Sequence, residues 1–212
     1  SSEISVTESV YTANGSQPGI INLTEDDKLD HSPRLAADGD RALLVWTKSE
    51  GSGLILNMEE GTPSMAGDQL YFSVWSDGIW SAPEAIEMNV STILDSSLAM
   101  EGEEGLLLYT LDMDNDFSTG EDREVYARLY DGNTWGKAIS LTDNALNDSA
   151  PKAVSIDGDW FITWLEDGKI VYKAGLEAET RTEESPDNIQ SNYQITASKG
   201  ERPLVALVYT QR

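Results

Sequence analysis

Five carboxylates crowd one short stretch of this chain, Asp112-Met113-Asp114-Asn115-Asp116-Phe117-Ser118-Thr119-Gly120-Glu121-Asp122. Acids at alternate positions can converge on a hard cation, and Ca2+ takes roughly six to eight oxygen ligands. Asp112, Asp114, Asp116, Glu121 and Asp122 are the candidate ligands. The stretch is not an EF-hand. Phe117 stands at the sixth loop position, where that motif needs glycine, and Arg123 at the twelfth, where it needs glutamate. The competing reading is a solvated acidic loop.

Other residues could serve a ligand. Asp30, Arg34, Asp95 and Asp148 are candidate ligand-binding residues. Asp30 and Asp95, if they faced one pocket, would offer the carboxylate pair that glycoside hydrolysis uses. Trp160 could stack on a sugar ring. His31 is the single histidine and is followed by Ser32. Neighbouring side chains on a strand point to opposite faces, so these two do not make a catalytic triad. No catalytic residue is assigned.

Composition excludes several classes. There is no cysteine, so disulfides, thiol nucleophiles and zinc–thiolate sites are ruled out. A net charge of −24 disfavours nucleic acid as a partner. No apolar run reaches about 18 residues, so membrane insertion is not expected.

These residues must be positioned by repeated elements. Asp30 to Trp46 (DHSPRLAADGDRALLVW) recurs as Asp148 to Trp164 (DSAPKAVSIDGDWFITW). Looser copies run from Asp95 to Thr110 and from Tyr193 to Thr210. Repeats at a period of roughly 50 residues indicate propellers or arrays. Each unit reads as four strands. Strand A is short, and strand B is an apolar run ending on an aromatic. Strands C and D meet at an Asp-Gly turn before a Trp. Four antiparallel strands per unit make a propeller blade. The expected fold is all-β, a β-propeller of about four blades in one domain. Its parts are a half-blade 1–22, blades 23–86, 87–139 and 140–188, and a half-blade 189–212. The terminal halves would close the ring together; the alternative is part of a larger propeller of six to eight blades.

In such a fold the D–A and B–C connections emerge on one face. That face should collect Glu25, Asp26, Asp27, Asp30, Asp95, Asp143 and Asp148, with the insertions at 49–68 and 112–122. It should be strongly acidic, and the opposite face should not.

Asp77-Gly78-Ile79-Trp80 and Asp131-Gly132-Asn133-Thr134-Trp135, with the Asp-x-x-Pro unit starts and the aromatic ends of strand B, resemble the sialidase-like (BNR, or Asp-box) propeller repeats of bacterial secreted and surface proteins. The resemblance spans nearly the whole chain and implies an extracellular or cell-surface setting. It implies a protein or glycan ligand, a larger parent protein or self-association, and Ca2+ as the cation. Sialidases also use three arginines, a tyrosine with a glutamate, and an aspartic acid. Here the arginines are Arg34, Arg41, Arg123, Arg128, Arg181 and Arg202, and the first-arginine motif is absent. The expected function is a non-catalytic binding or scaffold module working through the acidic loop face. A sialidase-like glycoside hydrolase domain, or a fragment of one, is the alternative.

Overall fold

Leu106, Leu107 and Leu108 are consecutive and all fully buried. A strand achieves this only when both of its faces are covered. The computed structural model describes residues 2–8, 19–49, 55–56, 63–64, 68–86, 92–114, 116–182, 188–201 and 203–210. Arg202 and most of the insertion after Ser49 lie outside them.

The strands fall into stacked sheets. β1 (Ser5–Glu8) and β2 (Gly19–Asn22) form a two-stranded sheet. Blade one holds β3 (Leu29–Asp38) and β4 (Arg41–Ser49), then β7 (Asp68–Ser76), which pairs with both β8 (Ile79–Trp80) and β9 (Glu84–Ile86). Within its insertion, β5 (Ile55–Leu56) and β6 (Pro63–Ser64) make a small pair. Blade two is β10 (Thr92–Glu101), β11 (Glu104–Asp112), β12 (Arg123–Tyr130) and β13 (Ile139–Ser140). Blade three is β14 (Asp148–Ile156), β15 (Asp159–Glu166), β16 (Lys169–Ala174) and β17 (Arg181–Thr182). β18 (Gln194–Ser198) and β19 (Leu204–Val208) form a last two-stranded sheet. Among the described residues there is no helix.

The innermost strands pack in series, β3 on β10, β10 on β14 and β14 on β18. Alternation along each second strand sends one set of side chains to each neighbouring blade. Leu107, Tyr109 and Leu111 join Leu43, Val45 and Phe72 between blades one and two. Leu106 and Leu108 join Ile162 and Trp164 between blades two and three. The aromatic that ends strand B always faces the preceding unit: Trp46 faces β1–β2, Tyr109 blade one, and Trp164 blade two.

Packing between blades is matched in size. Trp160 fills the space between blades two and three. The equivalent post-turn position of blade two is Gly105, which faces blade one. A Cβ on Gly105 would lie 2.7 Å from Leu43 Cδ2 of blade one. The C–D turn of blade two is capped by Asp131, whose Oδ1 accepts from the backbone N–H of Asn133 (2.9 Å) and Thr134 (2.8 Å). Gly132 there takes φ +94°, which a side chain rarely tolerates. Trp135, just after it, meets Phe72 of blade one edge-on at 5.8 Å.

The terminal halves differ from the expected closure. β1–β2 and β18–β19 are separate two-stranded sheets and do not share a ladder. Ile20, Leu204 and Val208 on them are largely exposed. At the A–B end, Lys199 Nζ spans from the β18–β19 turn to Glu101 Oε2 (2.5 Å) and Asp38 Oδ2 (3.8 Å). The backbone N–H of Gly102 also donates to Asp38 Oδ2 at 2.8 Å. Charge pairs thus tie the last hairpin to the first two blades at this end.

Candidate functional site

The innermost strands deliver four side chains toward one another. Arg34 of β3 donates from Nη2 to Asp95 Oδ1 of β10 at 3.1 Å and from Nε to the Ser96 carbonyl at 2.6 Å. Lys152 of β14 occupies the repeat position of Arg34 and lies over the ring of Tyr193, 5.2 Å from its centroid. Burial, with Arg34 close by, lowers the Lys152 ammonium pKa, against the opposing pull of Asp95. The Tyr193 hydroxyl donates to the Ala150 carbonyl at 2.9 Å and meets Thr163 Oγ1 at 2.8 Å. Tyr193 is fully buried, and burial pushes its phenol well above the ordinary range. Arg34 and Asp95 each keep about a third of their side chain exposed (36% and 35%). Lys152 was legible as the repeat partner of Arg34. Tyr193 carried no signal, because its role depends on β18 stacking on β14.

Three expected ligand residues have structural partners instead. Asp30 is buried and accepts from Trp46 Nε1 at 2.8 Å. Asp148 is buried and accepts from Trp164 Nε1 at 2.9 Å and from Asn144 Nδ2 at 3.0 Å. Burial pushes the Asp148 carboxyl up to about 7, helped by the charges of Glu166 and Glu124. Trp160 is buried in the core between blades, so it offers no face to a sugar. Stacking of the units turns the recurring Asp30 and Asp148 positions inward, and Trp160 is inward because its side of β15 packs on blade two.

The acidic stretch is gathered in part. One carboxylate oxygen from each of Asp112, Asp114 and Asp122 lies within 4.8 Å of the others. Asp112 has no exposed surface, and its Oδ1 and that of Asp122 are buried without a hydrogen-bond partner. Arg123 Nε approaches the other oxygen, Asp112 Oδ2, at 3.5 Å. Burial raises the Asp112 carboxyl pKa, and the charge of Asp122 adds to it. Asp116 turns away to cap the loop, accepting from Ser118 N (3.0 Å) and Ser118 Oγ (2.7 Å). Glu121 is exposed and outside the group. A second acidic group, Glu3, Asp26 and Asp30, already holds a cation: Lys48 Nζ bonds Asp26 and stands 3.7 Å from Asp30 Oδ1.

Both insertions leave the B–C end, as their strands require. The opposite end is also acidic, which corrects the expected asymmetry. The A–B and C–D turns carry Asp38, Asp40, Asp77, Glu101, Glu103, Glu104, Asp131 and Asp157. Asp-Gly turns of positive φ recur at that end, so the turn chemistry itself supplies acid there. Of the arginines, Arg41 pairs with Glu103 at 2.8 Å and Arg123 with Asp112, so neither joins Arg34.

No protein-family model and no curated protein matches the chain. Solved structures do. An α-L-arabinanase from Penicillium chrysogenum superposes with a TM-score of 0.56 at 11% identity, over 99% of this chain and 68% of that one. An α-L-arabinofuranosidase from Lactobacillus brevis gives 0.55 at 14% identity, over 93% and 72%. A Trypanosoma rangeli sialidase gives 0.52 at 13% identity, over 95% and 39%. The fold is that of a sialidase-like β-propeller. The chain spans about two fifths of the sialidase's length, and these identities speak for the fold alone. The propeller's axial cluster of Arg34, Asp95, Lys152 and Tyr193 is therefore judged on its own geometry.

Proposed function

We propose that this propeller is a non-catalytic binding module of an extracellular or cell-surface protein. It holds a glycan or a protein at the end where the D–A and B–C loops emerge. The observation that carries this reading is the pairing of Asp95 with Arg34. Asp95 is neutralised by its own neighbour, Asp30 is committed to Trp46, and the Tyr193 hydroxyl is tied and buried. A glycosidase needs two carboxyl groups with different protonation duties about 5–9.5 Å apart, or a nucleophile free to attack. Here Asp30 and Asp148 are buried on indole partners, Asp95 is paired with Arg34, and the Tyr193 hydroxyl is hydrogen-bonded and buried. The half-exposed Arg34–Asp95 pair instead offers donors and an acceptor suited to hydroxyls. The degenerate Asp-box turns at Asp77 and Asp131 then serve as blade fasteners.

Incubation with chromogenic arabinofuranosides and sialosides is expected to give no turnover above buffer. A glycan array is expected to show binding that Arg34→Ala and Asp95→Ala both abolish. Turnover lost in Asp95→Asn would replace this reading with the second one, a glycoside hydrolase piece. That second reading is favoured by the glycosidase activities of the solved structures of the same fold.

A further inference from the structure

We propose that Asp112, Asp114 and Asp122 form a binding site for one Ca2+ ion. The inference is independent of whether the axial end binds a glycan.

Two acidic groups converge among the described residues, and they differ in how their charge is met. Lys48 already sits among Asp26 and Asp30. At Asp112 the only cation among the described residues is Arg123, which approaches Oδ2 while its Nη2 is held by the Phe117 carbonyl at 3.2 Å. Asp112 Oδ1, on a side chain with no exposed surface, has no partner among the described residues, and neither has Asp122 Oδ1. A buried carboxylate oxygen left unpaired is costly, and three such groups so close repel one another.

The rest of the loop aims the ligands. Asp122 Oδ2 accepts from Asp114 N at 2.8 Å, and Asp114 Oδ1 accepts from Asp116 N at 2.7 Å. These bonds leave each residue's other oxygen for an ion. Two oxygens that each bind Ca2+ at about 2.4 Å lie at most about 4.8 Å apart. The spread of the three ligand atoms fits that limit. The donors are all carboxylate oxygens, which select a hard cation, and the remaining coordination positions would be water or backbone carbonyls.

The ion would also brace blade two against blade three. Gly120 of this loop lies so close to Asn147, before β14, that a Cβ there would stand 3.1 Å from its side chain. Fixing the loop therefore fixes the connection that precedes blade three.

Isothermal titration with CaCl2, paired with thermal unfolding, tests this on the full chain. One ion per chain is expected, with a rise in Tm of roughly 5–10 °C at a Ca2+ concentration about 100-fold above Kd. Asp112→Asn and Asp122→Asn should each weaken binding by about tenfold or more. Asp116→Asn and Glu121→Gln should stay within about twofold, because those residues stand outside the group. Asp114 is exposed, so Asp114→Asn decides the matter alone if the buried variant does not fold. Absence of binding heat and of a Tm shift overturns the proposal. So does equal loss of affinity in the Asp116 and Glu121 variants, which would mark a diffuse acidic loop.

Discussion

The indole of Trp164 donates from Nε1 to Asp148 Oδ1 at 2.9 Å, and the same pair recurs in blade one, where Trp46 donates to Asp30 at 2.8 Å. The two pairs stand at an identical chain separation of 16 residues. Each joins the start of strand A to the end of strand B, with a fully covered tryptophan and a buried aspartate. The pair is the clamp of the repeat. Trp46→Phe should destabilise the fold by about 1–3 kcal/mol, since it removes the donor and leaves a buried carboxylate oxygen unmet. Trp164→Phe should cost a similar amount. Urea unfolding measures both; variants within about 0.5 kcal/mol of the parent would remove the clamp from the account.

Asp148 makes stability depend on pH in a stated direction. Its carboxyl is pushed up to about 7, from an ordinary value of 3.8. The folded chain therefore holds a proton that the unfolded chain has already released. The contribution is complete below about pH 4 and is lost as pH rises through about 7. Measured against Asp148→Asn, whose amide does not titrate, wild-type stability should fall steadily from about pH 4 to about pH 7. A difference that stays flat across that range would refute the assignment.

Gly105 marks the tightest seam between blades one and two. Gly105→Ala should cost about 1–3 kcal/mol through overpacking against Leu43. Leu43→Ala opens a cavity at the same seam and alone should cost about 2–5 kcal/mol. The double variant should be more stable than the sum of the two losses, because the new methyl enters the space that Leu43 vacates. Strict additivity would show that the blades do not meet there.

Lys199 fastens the last hairpin from its turn. Its side chain is 48% exposed, so Lys199→Met should leave global stability nearly unchanged. Its effect should be local: faster amide exchange in β18 and β19, with blade two unchanged. Salt should produce the same change in the parent, since the partners Glu101 and Asp38 are surface acids.

The repeat was legible because its spacing is a physical demand. Trp46 and Trp164 recur at equivalent positions because each must reach the aspartate at the head of its own unit. Leu106 to Leu108 announced a strand covered on both faces, and the Asp-Gly turns announced their own positive φ. The strand-by-strand order of blades one to three followed from such local patterns.

Legibility ended where a residue's meaning depends on a neighbour from another unit. Trp160 reads as a spare aromatic in the chain, yet it is core because it lies on the face of β15 that packs against Leu106 and Leu108 of blade two. Asp30 and Asp148 read as loop acids, yet each is a buried acceptor. The acidic stretch offered five ligands with equal claim, and only the turn made by Asp116 with Ser118 divides them into three that converge and two that do not. Sequence alone determined the all-β repeat and the chemistry available to it, since hydrophobic period and turn residues act locally. Tertiary structure decided which acids are free, which are paired and which are buried. Those states depend on desolvation and on partners that lie a blade away in space and as much as 98 residues away in the chain, as between Lys199 and Glu101.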